Sequence, residues 1–211
     1  MASLGIKLHR SVVALLLALL ALPAMGMQLQ EGDLLFACSD TANAITAVTS
    51  GVGRLPIDHV GIVHRIGGPS GPIFVIEAVK PSVSITPLDA FLCSNGQVIA
   101  GRLCVAFDVR ESIRRCLLMV GKPYDDLYLP GDSAVYCSEL VQMNYVDTAG
   151  KRIFEPVPMS FHDDSGRITD YWQEFYMQRG MVVPEGMPGS NPGELSRRSE
   201  VIILGKYPFE P

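Results

Sequence analysis

The chain predicts an α+β fold in which an antiparallel sheet packs against a helix that carries a cysteine. Three stretches carry that prediction. Two apolar, β-branched runs, residues 57–63 and 73–78, flank Gly67-Gly68-Pro69-Ser70-Gly71-Pro72, a turn that would fold them into a hairpin. From Arg110 to Val120, Ile113, Cys116, Leu117 and Val120 recur at i, i+3, i+4 and i+7, the apolar stripe of an amphipathic helix. Tyr136-Cys137-Ser138-Glu139-Leu140 then opens a second helix, with Cys137, Leu140, Val141 and Tyr145 on one face.

The chain is long enough, at 211 residues, for one domain with a real core, and 48% hydrophobic against 18% charged residues excludes a disordered protein. Its first segment is read separately. Lys7, His9 and Arg10 precede an apolar run from Val12 to Leu22, with small residues at Ala24 and Gly26, the layout of a secretory signal peptide. Residues 1–26 are therefore expected to be a cleaved leader, and 27–211 a single exported domain, periplasmic or extracellular. The run is short of the ~20 residues that span a bilayer, so no stable transmembrane anchor is expected, an uncleaved anchor being the other reading. Cleavage would remove Lys7 and Arg10 but no acid, so 17 basic residues fall to 15 against 22 acidic, a formal charge of −7. Such a surface excludes a nucleic-acid partner. All five cysteines stay in the mature part, without a Cys-x-x-Cys pair, which argues against structural zinc. No metal and no cofactor is expected.

Taken in order, Glu31-Gly32 turns into a short buried strand over residues 33–37, and Asp40 would cap a short helix through Val48 that ends at Gly51-Val52-Gly53. The hairpin follows. Residues 83–85 read as a further strand, Thr86-Pro87-Leu88-Asp89 as the start of a helical turn bearing Phe91 and Leu92, and residues 101–107 as a fifth strand. Gly121 would cap the amphipathic helix, and Asp132 or Ser133 the cysteine helix, which would run to about Val146. An amphipathic helix is expected from Asp170 to Gln178, loop over residues 182–193, and an edge strand at Ile202 and Ile203. Cys104 and Cys116 read as core residues, and a Cys38–Cys93 disulfide is open.

Three polar residues stand in apolar settings. Cys137, in the first turn of a helix, meets unsatisfied amides and the positive end of the macrodipole, both of which favour a thiolate. The same stripe also fits a packed core thiol. His59, in a strand, is the natural base, since its pKa lies near neutrality and a strand holds it better than a loop, although a lone strand histidine is often structural. His64 and His162 are placed less well. Glu77 shares a strand face with Val75 and Ile73 and would complete a relay by orienting the imidazole; a strand-end carboxylate facing water is the alternative.

These residues fall in blocks that resemble a known family. Gly32-Asp33-Leu34-Leu35-Phe36, Asp58-His59-Val60-Gly61-Ile62-Val63, Ile76-Glu77-Ala78, Tyr136-Cys137-Ser138-Glu139-Leu140-Val141 and the loop at 183–193 are similar, in order and spacing, to the YaeF/YiiX-like permuted papain-fold proteins of the NlpC cysteine-peptidase superfamily. The resemblance implies a circularly permuted papain-like fold with the histidine strand ahead of the cysteine helix. It implies Cys137 as nucleophile, His59 as base and Glu77 as the residue orienting that base, with Tyr124, in a Pro-Tyr-Asp block, shaping or polarising the site. The activity it implies is hydrolysis of an amide bond, in a cell-wall peptide or an N-acyl amino acid, through a thioester. A lipid-directed acyltransferase or esterase with the same triad is the second reading, on a substrate with an amide or ester bond and an acyl pocket around Phe91 and Phe161. A non-catalytic binding protein on this scaffold is the third.

Overall fold

The computed structural model describes residues 27–131 and 133–209, so the leader expected over residues 1–26 and the cap expected at Asp132 lie outside the described residues. The strands are β1 (Leu34–Cys38), β2 (Ile57–Arg65), β3 (Ile73–Ala78), β4 (Val83–Pro87), β5 (Gln97–Leu103), β6 (Val157–Pro158), β7 (Pro188–Gly189) and β8 (Val201–Tyr207). Six of them form one sheet in the order β4-β3-β2-β1-β5-β8, every neighbouring pair antiparallel. The remaining two, β6 and β7, pair as a separate ribbon. Five α-helices accompany them among the described residues: α1 (Leu88–Ser94), α2 (Val109–Leu118), α3 (Cys137–Asn144), α4 (Asp170–Met177) and the single turn α5 (Pro192–Leu195).

Both faces of the sheet are covered, which is why β1 is an unbroken apolar run with all five residues buried. Leu34, Phe36, Val60, Ile62 and Ile76 pack against Ile113 and Cys116 of α2 and Leu140 and Val141 of α3. Leu35, Ala37, Val63 and Val75 pack on the opposite side against Phe91 of α1. A satellite cluster of Phe161, Trp172 and Tyr176 lies under α4. Two polar anchors fix the frame: buried Asp33 takes the Arg102 guanidinium at 2.7 and 2.8 Å, and Tyr145, closing α3, donates to the Gly32 carbonyl at 2.9 Å.

The cysteine helix starts later than its polar residues suggest. The Asp125 N–H donates to the Val135 carbonyl and the Val135 N–H to the Pro123 carbonyl, so the chain stays extended through Val135. Tyr136 becomes the N-cap, with no side-chain cap bond. Ser133 therefore does not cap α3, and the helix ends at Asn144 instead of Val146. Cys137 is still the first helical residue. Residues 44–48 form turns and not a helix: the Asn43 carboxamide oxygen accepts from the Ile45 and Thr46 N–H groups as a cap would, but the Val48 N–H turns to Ile45 and the backbone bonds end at Thr49. The fifth strand begins at Gln97, four residues ahead of its predicted start, since the 97–100 segment pairs with Ala37 and Cys38 and their neighbours on β1. The 182–193 stretch contains β7 and α5 within its loop. Cys38 is buried and Cys93 exposed, both as free thiols, so the disulfide does not form. Cys104 is exposed, its thiol donating to the Ser199 carbonyl, whereas Cys116 is core as expected.

One irregularity positions a site residue. On β1, neighbours Ala37 and Cys38 pair with His59 and Ile57, which leaves Asp58 as an extra residue on β2. This bulge turns Ile57 toward the α2/α3 side and lets His59 face the other way, where regular alternation would put both on one face. Gly61 follows on the His59 face. A Cβ there would sit 2.3 Å from Val75 Cγ1, so the glycine lets β2 and β3 lie close enough for their polar residues to meet.

Candidate active site

β2 and β3 run antiparallel, so the start of β2 and the end of β3 share one end of the sheet. His59 and Glu77 lie there, with the bulge residue Asp58 beside them. Continuing the Ile62↔Ile76 register sets Glu77 opposite Gly61, with His59 on the diagonal of the same face, a separation that long side chains bridge. The His59 Nε2 to Glu77 Oε2 distance is 2.7 Å, and the two side chains are 15% and 7% exposed. Cys137 is the other group near the imidazole, close enough to raise its pKa. Glu77 has a second partner in the Thr86 hydroxyl on β4. The carboxylate is thus buried and bonded, not a strand-end group in water.

The charges on this chain of three reinforce one another. Burial works against a charged imidazole, but the hydrogen bonds and negative charges of Cys137 and Glu77 outweigh it and raise the His59 pKa from 6.5 to about 10. Burial likewise pushes the Glu77 carboxyl up, yet the hydrogen bond and positive charge of His59, aided by Thr86, bring it below its ordinary value. A histidine raised on folding stabilises the fold fully below 6.5, and that contribution fades as pH climbs toward about 10. A lowered carboxylate stabilises above its ordinary 4.5, and the contribution is lost as pH falls through the lower folded value. The two windows overlap between 4.5 and 6.5. There the protein is expected to exceed His59→Asn in stability by about 2 kcal/mol, the worth of a hydrogen bond to a charged group. Denaturant midpoints measured across pH check this: the difference should shrink toward pH ~10, and a constant difference would contradict it.

Around the thiol, Tyr136 does more than precede it. Its hydroxyl accepts the Ser190 N–H at 3.1 Å and donates to the Met159 sulfur at 3.7 Å, tying the β6/β7 ribbon over the start of α3. Gly189 permits that approach, since a Cβ there would fall 2.2 Å from the Met159 sulfur and 2.8 Å from the Tyr136 hydroxyl. Tyr124 lies beside Cys137, its hydroxyl 3.5 Å from that of Tyr128, and burial with the nearby Cys137 charge raises its pKa well above the usual range. Asp58, the bulge residue, accepts from Asn43 Nδ2 at 2.6 Å and lines the same cavity as Cys137.

The four expected site residues, Cys137, His59, Glu77 and Tyr124, therefore come together. The other histidines do not: His64 pairs with Glu31 at 2.7 Å and His162 with Glu185 at 3.2 Å. Of the two phenylalanines expected around an acyl pocket, Phe161 lines the Cys137 cavity, whereas Phe91 is fully buried in the core beneath His59. Thr86, Asp58, Tyr128, Tyr136 and Ser190 escape a reading of the sequence. Only Thr86 leaves a trace there, as the second polar residue of the alternating run Val83-Ser84-Ile85-Thr86.

Comparison with known proteins gives matches over most of the chain. Residues 28–197 match the family model described as a permuted papain-like amidase enzyme, YaeF/YiiX. The uncharacterised protein YiiX of Escherichia coli (strain K12) is 30% identical over 145 residues, 65% of this chain and 67% of that protein. The crystal structure of metalloprotein yiiX from Escherichia coli O157:H7 superposes with a TM-score of 0.68 at 22% identity, covering 85% of this chain and 98% of that one, a likeness of fold.

Proposed function

The chain belongs to the permuted papain-like amidase family YaeF/YiiX, and from that premise we propose that Cys137, His59 and Glu77 cleave a substrate amide through a thioester. Membership makes the protein an enzyme of the papain-like hydrolase kind, so a purely binding role falls away. The observation that carries the proposal is the buried imidazole held between Glu77, at 2.7 Å, and the thiol at the first position of a helix.

His59 takes up the Cys137 proton and then stands charged between the sulfur and Glu77. The sulfur attacks the amide carbonyl carbon, a C–S bond forms and the carbonyl electrons move onto oxygen. That oxyanion lies near the Cys137 N–H, which has no intrahelical acceptor at the start of α3. Collapse breaks the C–N bond as His59 passes its proton to the nitrogen, releasing the amine. Water then attacks the thioester, gives a proton to His59, and breaks the C–S bond to release the acid and restore the pair. Glu77 keeps the ring in the orientation both steps need, and Thr86 holds Glu77.

The solved relative is described as a metalloprotein. Among the described residues of this chain, no group of three or more His, Cys, Asp or Glu side chains is placed to hold a metal ion, so they do not fit a resident metal and every step above runs through side chains. No helix among the described residues is long and apolar enough to cross a membrane. We extend the proposal to export, on the leader pattern of residues 1–26, and to a cell-wall peptide or N-acyl amino acid as substrate. The cavity at the thiol, about 60 Å³, favours a short acyl group, as in an N-acyl amino acid, over a long lipid chain. Incubation with peptidoglycan fragments, N-acyl amino acids and phospholipids, followed by mass spectrometry, tests it: amine and acid should appear in equal amounts. Release of fatty acid from phospholipid, without any amine, would overturn the amide reading.

A further inference from the structure

The thiol and the imidazole open into different cavities. Cys137 lines a narrow one of about 60 Å³ walled mainly by Ile45, Val48, Met159 and Phe161, with Asp58 and Asn191 also on its lining. His59 lines a wider one of about 320 Å³, with the Lys80–Asp126 ion pair, 3.0 Å apart, among its lining residues. Tyr124, Tyr128 and Trp172 line both. They are the wall between them.

Tyr128 is the unusual member of that wall. Its backbone is left-handed, with φ of 53°, a conformation that a bulky residue adopts only where the surroundings impose it. The surroundings do so. The Asp125 carboxylate accepts from the Leu127 and Leu129 N–H groups at 2.8 and 2.9 Å, and Tyr176 donates to the Leu127 carbonyl at 2.7 Å. The ring is then set edge-on to Trp172 at 5.7 Å and to Tyr136 at 5.3 Å.

Reaction chemistry assigns the two sides. In the thioester route the acyl carbon is bonded to the Cys137 sulfur, while the departing nitrogen takes its proton from His59. The acyl portion therefore belongs in the narrow apolar cavity and the amine portion in the wider one with the ion pair. We propose that Tyr128 is a specificity-determining residue, which with Tyr124 separates the two portions and confines the acyl side to a short, slender apolar group. This rests on the thioester reading above. Removing the ring joins the cavities and admits longer acyl groups.

The test is acylation of Cys137 by p-nitrophenyl acetate, butyrate and octanoate, followed by p-nitrophenol release and intact-protein mass, with each rate divided by that of a free thiol. The unaltered protein should favour acetyl and butyryl over octanoyl by at least about tenfold, the scale on which a pocket sorts apolar groups. Tyr128→Ala should shrink that preference by about tenfold or more, and Tyr128→Phe, which keeps the ring, should retain it. Val48→Phe, filling the opposite wall, should depress butyryl relative to acetyl, and Tyr128→Leu, which also removes the ring, carries the test of Tyr128 if the alanine variant does not fold. Adducts at Cys137 with chain-length ratios unchanged in these variants would overturn the role of Tyr128 while leaving the thioester reading intact. No adduct at Cys137 with any ester would overturn the thioester reading and this inference with it.

Discussion

Cys137→Ala is expected to lower amide hydrolysis by at least about 10⁴-fold while leaving the fold in place. In the proposed thioester route the sulfur is the atom to which the acyl carbon is bonded, so without it only binding and oxyanion stabilisation remain. Loss of the fold is not the cause of such a fall, because the rest of the α3 stripe, Leu140, Val141 and Tyr145, is fully buried and keeps the helix seated on the sheet. Cys137→Ser should be nearly as inactive, since a hydroxyl is far less acidic than a thiol and His59 would not hold it as the anion. The measurement is turnover together with the denaturation midpoint. Activity retained within about tenfold in a folded alanine variant would remove Cys137 from the chemistry.

Glu77→Gln is expected to cost roughly 10² to 10⁴-fold in kcat/KM, the scale seen when a residue that orients a catalytic histidine loses its charge. The substituted carboxamide is as long as the carboxylate and would still reach the ring, so the loss is electrostatic more than steric. Removing the negative charge takes away one of the causes that raise His59, so the imidazolium gives up its proton at lower pH. The alkaline limb of the kcat/KM profile should therefore move toward neutrality. A merely structural Glu77 would lower activity at all pH values alike, and an unmoved alkaline limb would support that role instead. Thr86→Val, which removes the second partner of the carboxylate but leaves its charge, should lower kcat/KM without moving that limb toward neutrality.

The parts of this site that a sequence shows are the ones set by local periodicity. Alternation placed Glu77 on the face of Val75 and Ile73, and the apolar stripe placed Cys137 at a helix start. Both features survive folding because each depends on residues within a few positions. What joins them is not local. The bulge at Asp58 that re-aims His59 exists only in the pairing of β1 with β2, and nothing in the run Ile57-Asp58-His59-Val60 distinguishes it from a regular strand. Tyr136 and Ser190 meet across 54 residues, and Tyr128 owes its conformation to an Asx-type turn and a distant tyrosine. The cap expected at Ser133 failed for a related reason. Serine is a good cap by composition, but Val135 is committed to backbone pairing with Pro123, and tertiary hydrogen bonds set the helix start. The α+β class is still legible because the strands and helices are long enough for their patterns to dominate.

The role proposed for His59 is to make the Cys137 sulfur a fast nucleophile. The direct measurement is the rate of alkylation of Cys137 by iodoacetamide at about pH 6, resolved by peptide mass from the exposed Cys93 and Cys104, in the protein and in His59→Asn. Cys137 should react at least about tenfold faster than a free thiol in the unaltered protein, and lose that advantage in the variant. A Cys137 that reacts no faster than a free thiol, or equally fast without His59, would contradict it.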